Sequence, residues 1–193
     1  MNAETLVELE TVTHGKLRLF SLYLDSAAAV RARWATSQIS RLAGERWKSS
    51  TEMWNLNSLF ASDPIRTMIT QDAAEADVVV VAMSSLDRRV VELIEWLDSL
   101  ADCKANRPVS GLLVGLFGDD EQMACELDWT VEQIQGCARR NDRDFIWRWM
   151  KQEAMSDGGW LADPVEVLLS RKQATAKDAL LQKTGGEVVS SSP

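Results

Sequence analysis

A chain of 193 residues is long enough for one complete hydrophobic core with an appendage, since domains commonly run about 100 to 200 residues. Its formal net charge of −8 opposes non-specific binding to nucleic acid or to an anionic membrane surface, because both need clustered Lys and Arg. No apolar run approaches the roughly 18 residues of a membrane span, and no N-terminal stretch joins a basic region to an uninterrupted apolar core, so the expected location is cytoplasmic.

Residues 1–15 admit two readings. LVELETVT alternates like a strand, which His14-Gly15 can turn into a hairpin with the segment that follows; a flexible leader fits equally. Lys16 to Leu24, KLRLFSLYL, alternates loosely and then becomes apolar, as suits a first strand. Asp25 or Ser26 then caps a helix, since a short side-chain oxygen there accepts from the unpaired N–H groups of the first turn. Ala28, Ala32, Ala35, Ile39 and Leu42 recur at spacings of three and four and form its apolar stripe, with Arg31, Arg33, Arg41 and Glu45 expected to face elsewhere.

Thr51 to Leu56 is a weaker, more polar second strand with the character of a sheet edge. Asp63-Pro64 opens the next helix, aspartate as N-cap and proline at the first helical position. Its expected stripe is Ile65, Met68, Ile69, Ala73 and Ala76. Asp77 to Met83 follows at once. This continuous apolar run reads as a strand buried on both faces of a parallel sheet.

Leu86, Val90, Leu93, Leu97 and Leu100 give the third helix its face, widened by Val91 and Ile94. Val109 to Phe117 is the fourth strand, where Gly111 and Gly115 allow a close approach to the backbone and Gly118 marks the exit. Met123, Leu127, Val131, Ile134 and Ala138 form a fourth helical stripe, and Asp144 to Trp149 a short fifth strand. Residues 16–150 thus form the body. Residues 151–182 are an extension with one helix starting at Asp163-Pro164, and residues 183–193 have the composition of a disordered tail.

Strand and helix alternating with short connections require right-handed crossovers, hence an α/β fold. The expected architecture is a three-layer α/β/α, doubly wound, five-stranded parallel sheet of order 2-1-3-4-5, the flavodoxin-like arrangement also used by receiver domains. The first strand running into Asp25-Ser26, the MWNLNSL segment from Met53 to Leu59, AAEADVVVVAMSS from Ala73 and the VVELIEWLDSL helix from Val90 carry a resemblance. Over roughly residues 17–149 the chain resembles a family of small bacterial proteins similar in outline to response-regulator receiver domains. That resemblance implies a signalling or interaction role and supplies no catalytic residue.

The chain departs from receivers at defined places. Receivers carry an acidic pair after the first strand, a phosphoaccepting aspartate after the third, a hydroxyl residue after the fourth and a lysine after the fifth. Here Asp25 stands alone, the third strand ends in Met83-Ser84-Ser85, the fourth in Gly118-Asp119-Asp120, and the fifth carries Arg148. Phosphorylation in the receiver manner is therefore not expected.

Strand order reverses between the first and third strands, and ligands of open parallel sheets bind at such a point. Candidate ligand-binding residues are Asp25, Ser26, Ser84, Ser85, Asp119 and Asp120. In one reading the hydroxyls and helix N-termini hold a polar or anionic ligand and the aspartates hold Mg²⁺. In the simpler one all six merely cap helices. No catalytic residue and no metal set emerge: His14 is the single histidine, and Cys103, Cys125 and Cys137 lack metal-ligand spacing and read as buried free thiols. No cofactor is expected, with Mg²⁺ the one weak candidate.

Eight tryptophans against one tyrosine imply that some indoles are partly exposed. Trp129 falls off the fourth stripe, and Trp147, Arg148 and Trp149 lie in IWRWMK. These four are candidate interface residues, since Trp and Arg are favoured anchors. The alternative is an edge strand packed under the C-terminal segment. The expected function is a non-catalytic receiver-like module acting through a protein partner or self-association, without nucleic acid or membrane. The alternative is a sensor of a nucleotide or phosphorylated metabolite, or a Mg²⁺-dependent enzyme, using the same sheet edge.

Overall fold

The computed structural model describes residues 15–84, 89–103, 109–118, 124–150 and 158–185. Five parallel strands, β1 (Gly15–Tyr23), β2 (Trp47–Asn55), β3 (Val78–Met83), β4 (Gly111–Phe117) and β5 (Arg143–Trp149), form one sheet of order β2-β1-β3-β4-β5. Helices α1 (Ser26–Ala43), α2 (Asp63–Glu75), α3 (Arg89–Ser99), α4 (Ala124–Arg140) and α5 (Ala162–Gly185) cover both faces. The fold is the flavodoxin-like three-layer α/β/α arrangement.

The central strands owe their place to their composition. Every residue of β3 and of β4 is buried, because helices cover them on both faces and no position has solvent to face. Phe20, Leu22, Val79, Val81, Leu113 and Phe117 pack under α2, α3 and α4. Leu17, Leu19, Val78, Val80, Leu112 and Val114 pack under α1 and α5. Successive side chains of one strand thus feed two separate cores.

β2 runs from Trp47, four residues before the expected start at Thr51. Its first half is polar and carries no apolar alternation, and it is held by backbone pairing with β1 along its whole length. Asp63 is the first residue of α2 and not its cap: Ser62 takes the extended cap conformation and makes no side-chain cap bond. Gly44 ends α1 at φ 65, a left-handed conformation that favours glycine, and its N–H donates to the carbonyls of Ser40 and Arg41.

Three expected stripe positions lie at the surface instead. Met68 on α2, Leu42 on α1 and Val91 on α3 are exposed, because each helix meets the sheet along a narrower band than its apolar residues span. The opposite error concerns Arg31 and Trp96. Both are fully buried. Trp96 fills the core beneath α3 with its ring centroid 6.2 Å from that of Phe20, and its indole N–H donates to Thr70 Oγ1 at 2.9 Å. Leu86, Met123 and His14, and the proposed strand or leader before Gly15, fall outside the described residues.

Helix α5 lies on the α1 face, where Leu161, Val165 and Leu168 are buried. It is fixed by an ion pair of low exposure between Lys172 Nζ and Asp77 at the entry to β3. The other Asp77 oxygen accepts from the Arg18 backbone N–H at 2.8 Å. Among the described residues no helix is long and apolar enough to cross a membrane.

Candidate functional site

β1 and β3 lie side by side, with Tyr23 registered against Ala82, so the residues that follow them meet at the carboxyl edge of the sheet. Leu24 extends the contact, its N–H donating to the Ala82 carbonyl at 3.1 Å. Asp25 then turns the chain into α1 in extended conformation and caps it, Oδ1 accepting from the Ala28 N–H at 2.9 Å. The same Oδ1 accepts from Ser84 Oγ at 2.8 Å. Ser84 Oγ in turn accepts from a terminal nitrogen of Arg31, which reaches it from α1.

These three residues form a relay from guanidinium through hydroxyl to carboxylate. Arg31 is fully buried and Ser84 and Asp25 half-buried, so the charges are held in a medium that screens them poorly. Burying a cation costs heavily unless polar groups compensate it, and Ser84 passes the compensation to Asp25. Ser26, the first helical residue, is exposed and lies beside this relay in sequence only. Ser85, Asp119 and Asp120 fall outside the described residues. The structure therefore brings Asp25 and Ser84 together, as the switch-point argument requires.

Arg31 is the site residue that sequence reasoning missed, although its signal was present. It stands three residues after Ala28 and four before Ala35, on the buried stripe itself. An arginine on an alanine stripe, within two helical turns of the cap, has small neighbours that leave room for its stem.

Among the described residues no group of three His, Cys, Asp or Glu side chains is placed to hold a metal ion. Cys137 is buried and Cys103 half-buried, short of the full burial expected of the thiols, while the Cys125 side chain falls outside the described set. Burial pushes the Cys137 thiol up, which holds it in the unreactive protonated form.

A second polar locus lies under α2. A groove of about 320 Å³ is lined by Arg18, Ser50, Glu52, Asp72 and Glu75. Burial and a hydrogen bond with Glu52 raise the Asp72 carboxyl to about 6, aided by repulsion from Glu52 and Glu75. Arg18 pairs with Glu75.

The four candidate interface residues divide. Trp129 on α4 is 50% exposed and Trp147 on β5 is 40% exposed. Arg148 is half-buried with its guanidinium 5.6 Å from the Trp160 ring centroid, and Trp149 packs against the core beneath α2, α3 and α4. Trp147 also stacks at a tilt on Phe117, with centroids 6.2 Å apart, across Gly115. A Cβ at Gly115 would lie 2.8 Å from the Phe117 ring, so the glycine is needed by side-chain packing here.

No protein-family model matches the chain, and no curated protein sequence does. Its likeness is to solved structures. An oxidoreductase from Corynebacterium diphtheriae matches at a TM-score of 0.51 and 12% identity, over 85% of this chain and 94% of that one. A short-chain flavodoxin associated with a bacterial microcompartment matches at a TM-score of 0.43 and 11% identity, over 86% of this chain and 99% of that one. At such identities the likeness concerns the fold alone.

Proposed function

We propose that this protein is a non-catalytic, receiver-like interaction module of the cytoplasm that works through protein contacts. The observation that carries this reading is the internal use of the switch-point side chains. Ser84 spends its hydroxyl on both Asp25 and Arg31, and Asp25 spends the accepting oxygen on the α1 cap. A polar ligand at this edge would compete with a relay already joined at 2.8 Å. Trp129 and Trp147 supply accessible indoles for a partner on the α4 and β5 side of the molecule.

The test is thermal unfolding with Mg²⁺, nucleotides, cyclic dinucleotides and sugar phosphates. A ligand at a hundred times its dissociation constant stabilises by roughly 2.7 kcal/mol, a shift of several degrees. No shift is expected. A shift that Ser84→Ala abolishes would overturn the reading in favour of a small-molecule sensor or a Mg²⁺-dependent enzyme.

A further inference from the structure

β2 is an edge strand of nine residues, and among the described residues nothing pairs with its outer side. The Gly15 N–H donates to the Arg46 carbonyl, so the alternation of a parallel ladder directs the backbone groups of Lys48, Ser50 and Glu52 toward β1. Those of Ser49, Thr51 and Met53 point outward, where no strand among the described residues meets them. Natural proteins block such edges, and nothing on this one does so sterically: it has no proline, and Lys48, Ser50, Thr51 and Glu52 are all exposed.

The sequence KSSTE over Lys48–Glu52 is self-complementary. We propose that β2 pairs antiparallel with β2 of a second copy of this chain, about a two-fold axis at Ser50, joining two five-stranded sheets. In that register Lys48 of each copy stands opposite Glu52 of the other, at a non-hydrogen-bonded position where side chains approach most closely. Ser49 stands opposite Thr51 and supplies the hydrogen-bonded pairs. Trp47 stands opposite Met53 on the α1 face, and both are half-buried in the single chain.

An axis at Lys48 or at Glu52 would instead set like charges against each other, and only the axis at Ser50 sets Lys48 opposite Glu52. Glu52 also borders the groove it shares with Asp72 and Glu75, whose excess of carboxylates suits an incoming ammonium. The arrangement is isologous, and both contacts repeat by symmetry. It uses the sheet edge remote from Trp129 and Trp147 and does not depend on the reading given above.

Sedimentation velocity over a concentration series tests this on the full chain. The wild type is expected to dimerise reversibly, and K48E or E52K each to weaken the dimer about tenfold or more, since two attractive contacts become two repulsive ones. An equimolar mixture of K48E and E52K restores the complementary pairs and is expected to associate, as is K48E/E52K alone. Because the mixture recovers what each variant loses, misfolding cannot imitate the result. A monomeric wild type at every concentration, or a dimer indifferent to both single substitutions, overturns the proposal.

Discussion

Ser84 and Asp25 are 59 residues apart in sequence and 2.8 Å apart from Oγ to Oδ1, and the hydroxyl between Asp25 and Arg31 joins β3 to both ends of the α1 entry. Removing it with Ser84→Ala leaves a fully buried guanidinium without this acceptor. The expected cost is about 1–3 kcal/mol in chemical denaturation, above the loss of an ordinary surface hydroxyl. Asp25→Ala is expected to cost more than the roughly 1 kcal/mol of a helix cap, since it also removes the carboxylate that balances Arg31. Arg31→Met, apolar and of similar length, separates structure from ligand binding: a variant as stable as wild type places the guanidinium outside the stability account.

The fold was legible because its signals are local and strong. The valine run of β3 admits only a strand covered on both faces, and Asp25 and Ser84 follow strands that the switch-point rule sets side by side. Burial at the level of single side chains was less legible. Met68 and Arg31 each fit a stripe by spacing, yet the sheet covers Arg31 and leaves Met68 45% exposed, because helix orientation depends on packing partners far away in sequence. The polar start of β2 was invisible for the same reason: backbone pairing with β1 holds it, and hydrophobic periodicity does not report that.

Trp96 gives the largest expected effect of any single core truncation here. It is fully buried and packs on Phe20, so Trp96→Ala is expected to lose about 3–5 kcal/mol. Thr70→Val keeps the shape of its partner and removes the acceptor of the indole N–H together with the exposed bond that the hydroxyl donates to the Arg66 carbonyl. A loss of about 1–3 kcal/mol by urea unfolding is expected, since the indole nitrogen is then left unpaired in the interior.

Lys172 and Asp77 are 13% and 7% exposed, and their pair ties α5 to the entry of β3. The Lys172 ammonium also lies 5.9 Å from the Trp47 ring centroid. Lys172→Ala leaves the Asp77 carboxylate with the Arg18 N–H as its hydrogen-bond donor among the described residues, and about 3 kcal/mol of stability is expected to go with it. Hydrogen exchange should localise the loss, with α5 amides exchanging faster and β3 amides following only global unfolding.

Asp72 sets the pH dependence of the α2–β2 contact. Its carboxyl, ordinarily at 3.8, is raised to about 6 in the fold, first by burial and then by the hydrogen bond and charge of Glu52, with Glu75 adding repulsion and Arg18 opposing it. Between those values the folded chain holds a proton that the unfolded chain has released, so stability falls as pH rises. The contribution is fully present below about 3.8 and is lost as pH rises through about 6. Two units would correspond to nearly 3 kcal/mol, and solvent screening at this half-buried side chain reduces the expected change to about 1 kcal/mol. Asp72→Asn keeps the hydrogen bond without the charge, so it is expected to be more stable than wild type at pH 7 and to flatten the profile between about pH 4 and 6. A wild-type profile unchanged by Asp72→Asn would show that the carboxyl pair does not share its proton.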